Sequence, residues 1–342
     1  MKFVSLTRYA FGVTAAAAMM AGCSSNGGSS YGAPSGLTPN SFHSPRTVSM
    51  NGLLITAAHP NFSVRNPMVP IAPEKQNKKK ALYQYASDYD GSLLEFDYPK
   101  SDAQIGEITG VYMPSGECAD ILYGAAKRDF WVTVSGSYQL AEFALGGKKP
   151  IKTLSVGSGG EPASCAMDPT TGNLAATLFR GGVVIFQNAS GSGTLLATNV
   201  ETYFDGYDNH GNLYVDGFNN DNQTTMAELP KGSSTFKTLT LSNSVGFPGA
   251  VQYDGTYITL LDQEAEAIYG YTCRGTSCTL KRTVSLSGAS DCVETWIGVG
   301  AVFCPDAGLN ESTVYKYPAG GSSIATLSGS GNVPNSFVEV RK

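Results

Sequence analysis

Phe204-Asp205-Gly206-Tyr207-Asp208-Asn209-His210-Gly211-Asn212-Leu213-Tyr214-Val215-Asp216-Gly217 contains the architecture of the whole chain in miniature. A short run of β-formers ends on Asp208, a turn carrying Gly211 and Asn212 follows, and a second β-rich run begins at Leu213. The pattern recurs on either side. Glu161-Pro162-Ala163-Ser164-Cys165-Ala166-Met167-Asp168 leads into Gly172-Asn173-Leu174, and Phe247-Pro248-Gly249-Ala250-Val251-Gln252-Tyr253-Asp254 leads into Gly255-Thr256-Tyr257. Each copy is an inner strand, an Asp turn and a second strand.

Working outward, an aromatic or apolar residue that closes a later strand repeats at Phe96, Phe143, Phe186, Leu229, Tyr269 and Tyr315. Successive spacings are 47, 43, 43, 40 and 46 residues. After several of these anchors comes a turn and a further β-rich tail, at 150–155, 236–242 and 324–329. Four short strands in a period of 40 to 50 residues mark a β-propeller, whose blades bury their faces only against one another. The fold class is therefore all-β, with six four-stranded blades. The last strand, from Pro334 to Val340, matches the opening of a blade and is predicted to pair with the strand starting at Leu82, closing the ring and covering an exposed edge.

The phrases P-x-x-C-A-x-D-x-x-x-G-N-L from Pro162 and F-D-G-Y-D-x-x-G-N-L-Y-V-D-G from Phe204 resemble NHL-type six-bladed propellers and the related gluconolactonase-like calcium enzymes, over about 260 residues. They are turn-forming Asp, Gly and Asn set among β-formers, and so speak for fold more than for activity. The resemblance to the calcium enzymes implies a divalent ion over the channel that polarises a lactone carbonyl.

Forty glycines, eighteen tyrosines and only 15% charged residues agree with a turn-rich β protein. Residues 24–81 carry a net charge of +5 and residues 82–342 a net charge of −12. An acidic domain repels phosphate backbones, so no nucleic-acid partner is expected, while the basic leader suits anionic headgroups or a solvated tether.

The N-terminus reads as a lipoprotein signal. Lys2 and Arg8 precede an apolar run too short to span a bilayer, and Met20-Ala21-Gly22-Cys23 supplies small residues before a cysteine. Residues 1–22 are thus a signal peptide and Cys23 the lipidation site. Residues 23–80, rich in Ser, Gly, Asn and Pro, form a tether, and 81–342 the propeller, expected to be monomeric. The expected address is the cell envelope, reaching the outer membrane where there is one.

Six cysteines remain, an even number in an exported chain, and disulfides are expected. Hairpin symmetry pairs Cys273 with Cys278 and Cys292 with Cys304, leaving Cys118 with Cys165. Zinc is disfavoured, because no CxxC occurs and the domain's histidine is His210 alone. The one G-x-S-x-G match, Gly28 to Gly32, falls in the tether, so a serine nucleophile is not expected.

Aligning the repeats places Cys118, Cys165, Asp205, Val251, Cys292 and Phe337 at equivalent inner-strand positions. Glu117, Glu161, Glu201, Asp205, Asp291 and Asn335 then ring one mouth of the channel, where carboxylates and amides suit a hard cation such as Ca²⁺. Tyr112, Tyr203, Phe204 and Phe247 precede inner strands and serve either as an aromatic binding surface or as packing between blades. The run Asp216–Asn222 is a hairpin loop rather than a calcium loop, since its Gly comes early and no closing Glu follows. Two functions stand side by side: a non-enzymatic envelope module binding a peptide, glycan or protein, and a Ca²⁺-dependent lactonase for which Glu117, Asp205 and Asp291 are the first residues to test.

Overall fold

Consecutive strands, each too short to bury a face alone, pair antiparallel into six sheets. The computed structural model describes residues 47–48, 82–89, 91–119, 129–298, 300–329 and 333–341. Blade 1 takes its inner strand from the C-terminus, Pro334–Arg341, followed outward by Leu82–Asp88, Ser92–Phe96 and Gly106–Thr109. Blade 2 is Pro114–Ala119, Asp129–Val134, Gln139–Ala144 and Pro150–Ser155. Blade 3 is Pro162–Met167, Leu174–Leu178, Val183–Phe186 and Thr194–Leu196. Blade 4 runs Glu201–Tyr207, Leu213–Phe218, Thr224–Leu229 and Lys237–Thr238; blade 5 runs Pro248–Tyr253, Ile258–Asp262, Ala267–Arg274 and Ser277–Ser287. In blade 6, Trp296–Ile297 lies innermost, then Ala301–Asp306, Glu311–Lys316 and Ala325–Leu327.

The ring closes as the sequence predicts: Tyr83 faces Val340 and Ala86 faces Phe337 across an antiparallel ladder. Phe337 also stacks on Phe303 of blade 6, with ring centroids 4.6 Å apart. The hydrophobic core is distributed over six clusters, one at each seam between neighbouring blades. Tyr85, Phe130 and Phe143 pack at the first seam, and Phe96, Phe303 and Phe337 at the last.

Each inner strand enters its blade irregularly, and one second-strand side chain holds it. Asp216 accepts from Phe204 N at 2.8 Å, Asp262 from Gly246 N at 2.9 Å, and Asp306 from Ser290 N at 2.8 Å. Thr177 takes this place in blade 3, accepting from Ser164 N at 3.2 Å, and it also donates to the Tyr203 carbonyl of blade 4 at 2.8 Å. These buried polar groups satisfy backbone that the bulges leave unpaired. The turn aspartates act similarly: Asp168 accepts from Thr170 N, Asp208 from His210 N and Asn212 N, and Asp254 from Thr256 N and Tyr257 N. The run Asp216–Asn222 is a blade hairpin in which Asn219 Oδ1 accepts from Asp221 N and Gln223 N.

One outer strand departs from expectation. The predicted tail at 236–242 splits, with Lys237–Thr238 completing blade 4 and Thr240–Leu241 running parallel to the long outer strand of blade 5. That eleven-residue strand also takes Gly321–Ser322 of blade 6 in parallel, so it ties three blades together.

The three disulfides are those expected: Cys118–Cys165, Cys273–Cys278 and Cys292–Cys304. The first staples the inner strands of blades 2 and 3, with Cα atoms 5.6 Å apart. Cys273 and Cys278 are direct cross-strand partners, whereas Cys292 lies opposite Asp306 and reaches Cys304 diagonally. Three disulfides point to an oxidising or extracellular setting. Among the described residues no helix is long and apolar enough to cross a membrane. The segments predicted as signal peptide, lipidation site at Cys23 and tether lie outside the described residues, apart from Thr47–Val48, a two-residue strand paired with Thr194–Leu196.

Candidate binding site in the central channel

Inner strands of neighbouring blades approach closely enough that two positions exclude any side chain. A Cβ on Gly116 would lie 2.7 Å from the Ala163 carbonyl oxygen and 2.7 Å from Ser164 Cα, and one on Gly206 would lie 2.3 Å from the Val251 carbonyl oxygen. This tight ring places the following or preceding residues, Glu117 and Asp205, against the channel axis. Glu294, from the short inner segment of blade 6, joins them. Blades 2, 4 and 6 thus each contribute one carboxylate, and the blades between contribute Ser164, Val251 and Ser336 at nearby ladder positions.

All three acids are buried, at 2%, 4% and 7% exposure for Glu117, Asp205 and Glu294, a placement costly to an ionised carboxylate. Ser164 Oγ donates to Glu294 Oε1 at 2.5 Å. Neither oxygen of Glu117, neither of Asp205 and not Oε2 of Glu294 is held by a full hydrogen bond. Burial pushes the Asp205 carboxyl up to about 7, with the nearby Ser164 hydroxyl opposing weakly. Burial, and then the charge of Glu294, push Glu117 well above the usual carboxylate range. Glu294 is driven the same way by burial, against the stabilising Ser164 bond. No described cation pairs with them. Arg180 pairs with Glu201 at 3.0 Å and Arg282 with Asp254 at 2.6 Å.

The acids border a cavity of about 90 Å³. Its walls include Cys165 to Met167, Tyr207 and Val251 to Tyr253 from the later halves of their inner strands and Pro169, Asp208 and Asn209 just beyond, together with Trp296 and Phe337, so it opens where the inner strands of blades 3 to 5 end. The sequence placed the polar ring at the opposite mouth, where inner strands begin. The structure divides that predicted set. Glu117 and Asp205 line the cavity; Glu161, Glu201, Asp291 and Asn335 do not. Asn335 Nδ2 instead donates to the Ser115 carbonyl at 3.0 Å, a seam bond between blades. Asp291 lies beside Glu266 and Asp306, where burial and then the Asp306 charge bring it up to about 6.

Of the predicted aromatics, Tyr203, Phe204 and Phe247 pack in the seam between blades 4 and 5. Tyr203 meets Phe247 edge-on with centroids 5.9 Å apart. Tyr112 alone is exposed, at 60%. Glu294 escaped the repeat alignment because Cys292 was matched to the inner-strand position. That cysteine sits two residues earlier, opposite Asp306 at the far end of its hairpin. The spacing of the other acids contained the missing signal, since Glu117 and Asp205 lie two blades apart and a third acid was due two blades further on.

The donor set implied for a calcium enzyme does not form here. Asp291 is outside the cavity. Among the described residues the only three acidic or thiol side chains with ligand atoms all within 4.8 Å of one another are Cys292, Cys304 and Asp306, and the two cysteines are joined in a disulfide. Glu117, Asp205 and Glu294 therefore stand too far apart to converge together on one bare ion, and no lactone-polarising step is derived.

No family model and no curated protein matches this sequence. Solved structures do match in fold. A chain of a nidogen/laminin complex superposes with a TM-score of 0.61 at 12% identity, covering 76% of this chain and 98% of that one. A protein of unknown function from Bacteroides caccae gives 0.55 at 11% identity, covering 77% and 100%. A functionally unknown protein from Desulfotomaculum acetoxidans DSM 771 gives 0.52 at 8% identity, covering 75% and 98%. At such identities the likeness establishes the six-bladed propeller and nothing finer.

Proposed function

We propose that this chain is a non-enzymatic binding module, lipid-anchored through Cys23 at the cell envelope, whose ligand brings positive charge into the channel cavity. The observation that supports this is the trio Glu117, Asp205 and Glu294, buried and unneutralised around an opening. A fold serving only as scaffold gains nothing from three desolvated acids, because each weakens it at neutral pH. The six-bladed ring and the disulfides suit a rigid platform outside the cytoplasm, and the nidogen/laminin likeness supplies a propeller found in a protein complex.

Melting of the full-length protein, its Glu117→Gln variant and its Asp205→Asn variant tests the reading. At pH 8 both variants are expected to retain the fold and melt higher than the parent. If both melt lower, the acids are structural and the binding reading fails. Anchoring is checked separately by labelling cells with a radioactive fatty acid: label and membrane association should both disappear in Cys23→Ser.

A further inference from the structure

Resting on that reading, the cavity's own shape narrows the class of ligand. The three acids sit deep, Glu117 and Asp205 at mid-strand and Glu294 on an isolated bridge to Ser336, and the spread of their oxygens exceeds what one bare ion bridges. At the level of Asp205 the wall is apolar, made of Cys165, Val251 and Phe337. Nearer the opening come Met167, Tyr207, Tyr253 and Trp296, all half-buried. A dehydrated metal ion has no use for such a vestibule, whereas a cation on a hydrocarbon stem uses both zones. The volume of about 90 Å³ is smaller than the roughly 150 Å³ cavity that admits a benzene ring, which suits the end of a single side chain.

We infer that the channel takes an organic cation, a primary ammonium or guanidinium on a short alkyl stem, with its head among Glu117, Asp205 and Glu294 and its stem against Val251, Phe337 and Met167. The planar fork of a guanidinium spreads its N–H donors widely enough to reach carboxylates that no point ion bridges, while an ammonium reaches two of them at a time, and each bond formed is charge-assisted. The same head group comes from a free alkylamine or from a Lys or Arg side chain projecting from a peptide.

Thermal shift and titration calorimetry on the full-length, disulfide-intact protein at pH 8 test this, with n-butylammonium, n-butylguanidinium, n-butanol and CaCl₂ as probes. The expected result is a saturable rise in melting temperature of roughly 3 °C or more with the cations at tens of millimolar, and none with butanol. Glu117→Gln should abolish the rise. A peptide Gly-Gly-Lys-Gly-Gly that binds tighter than butylammonium identifies the source as a protein partner; the reverse order identifies a free amine. Saturable stabilisation by Ca²⁺ with no response to either organic cation overturns the inference while leaving a cation receptor in place. No response to any probe overturns both. Should Glu117→Gln fail to fold, Met167→Lys supplies an alkylammonium from the wall itself. It should melt higher than the parent and no longer respond to butylammonium, and unchanged melting with an intact response counts against the proposal.

Discussion

Asp205 and Asp216 are eleven residues apart in one blade, both fully buried, and they do opposite work. Asp216 Oδ1 is spent on Phe204 N and holds the inner strand's bulge, whereas both oxygens of Asp205 face the cavity without a full hydrogen bond. Replacing the first should therefore cost stability and replacing the second should add it. Asp205→Asn is expected to raise stability at pH 8 by about 2 to 4 kcal/mol, read as a higher midpoint in urea unfolding. The pH dependence has a definite sign. Burial raises the folded-state value of Asp205 from 3.8 to about 7, so the folded form holds a proton that the unfolded chain releases. This contribution is complete below about pH 4 and is lost as pH rises towards 7; Glu117 and Glu294 act in the same direction. Urea midpoints measured from pH 4 to pH 8 should fall across this window in the parent and fall less in Asp205→Asn. The opposite slope would show that the acids are compensated within the fold.

Strand contacts govern the next scale. Gly206 faces the Val251 carbonyl so closely that an alanine there forces the inner strands of blades 4 and 5 apart. Gly206→Ala should destabilise the domain by about 2 kcal/mol or more, measured by denaturant unfolding. The Cys118–Cys165 staple closes a segment with a sequence separation of 47, for which the chain-entropy model gives roughly 4 kcal/mol, so a double Cys→Ser variant should lose stability on that scale. Much of this level was legible beforehand. Phe96, Phe143, Phe186 and Leu229 close third strands as their period required, and the repeated Asp turns fold as turns. The misreadings have local causes. Thr240–Leu241 left blade 4 because the exceptionally long hairpin of blade 5 offers a parallel edge, a long-range contact that no local pattern encodes. Glu294 stayed hidden because blade 6 begins with an irregular segment that carries neither the Pro nor the Asp-Gly turn of its sisters. The cavity borders the later halves of several inner strands, which the repeat alignment could not single out, because ladder register, rather than strand identity, decides which half of an inner strand borders a cavity.

At the scale of the molecule, stability is shared around a ring of six seams, and no blade has a core of its own. Deleting residues 333–342 strips blade 1 of its inner strand and removes Phe337 from its stack with Phe303. Such a truncation should abolish cooperative unfolding altogether; a sharp melt at the parent temperature would contradict the closure. The latch has a consequence in time as well as in space. Because the strand that completes the first blade follows the other five blades in the chain, a polypeptide emerging N-terminus first holds an open, unlocked arc until that strand arrives.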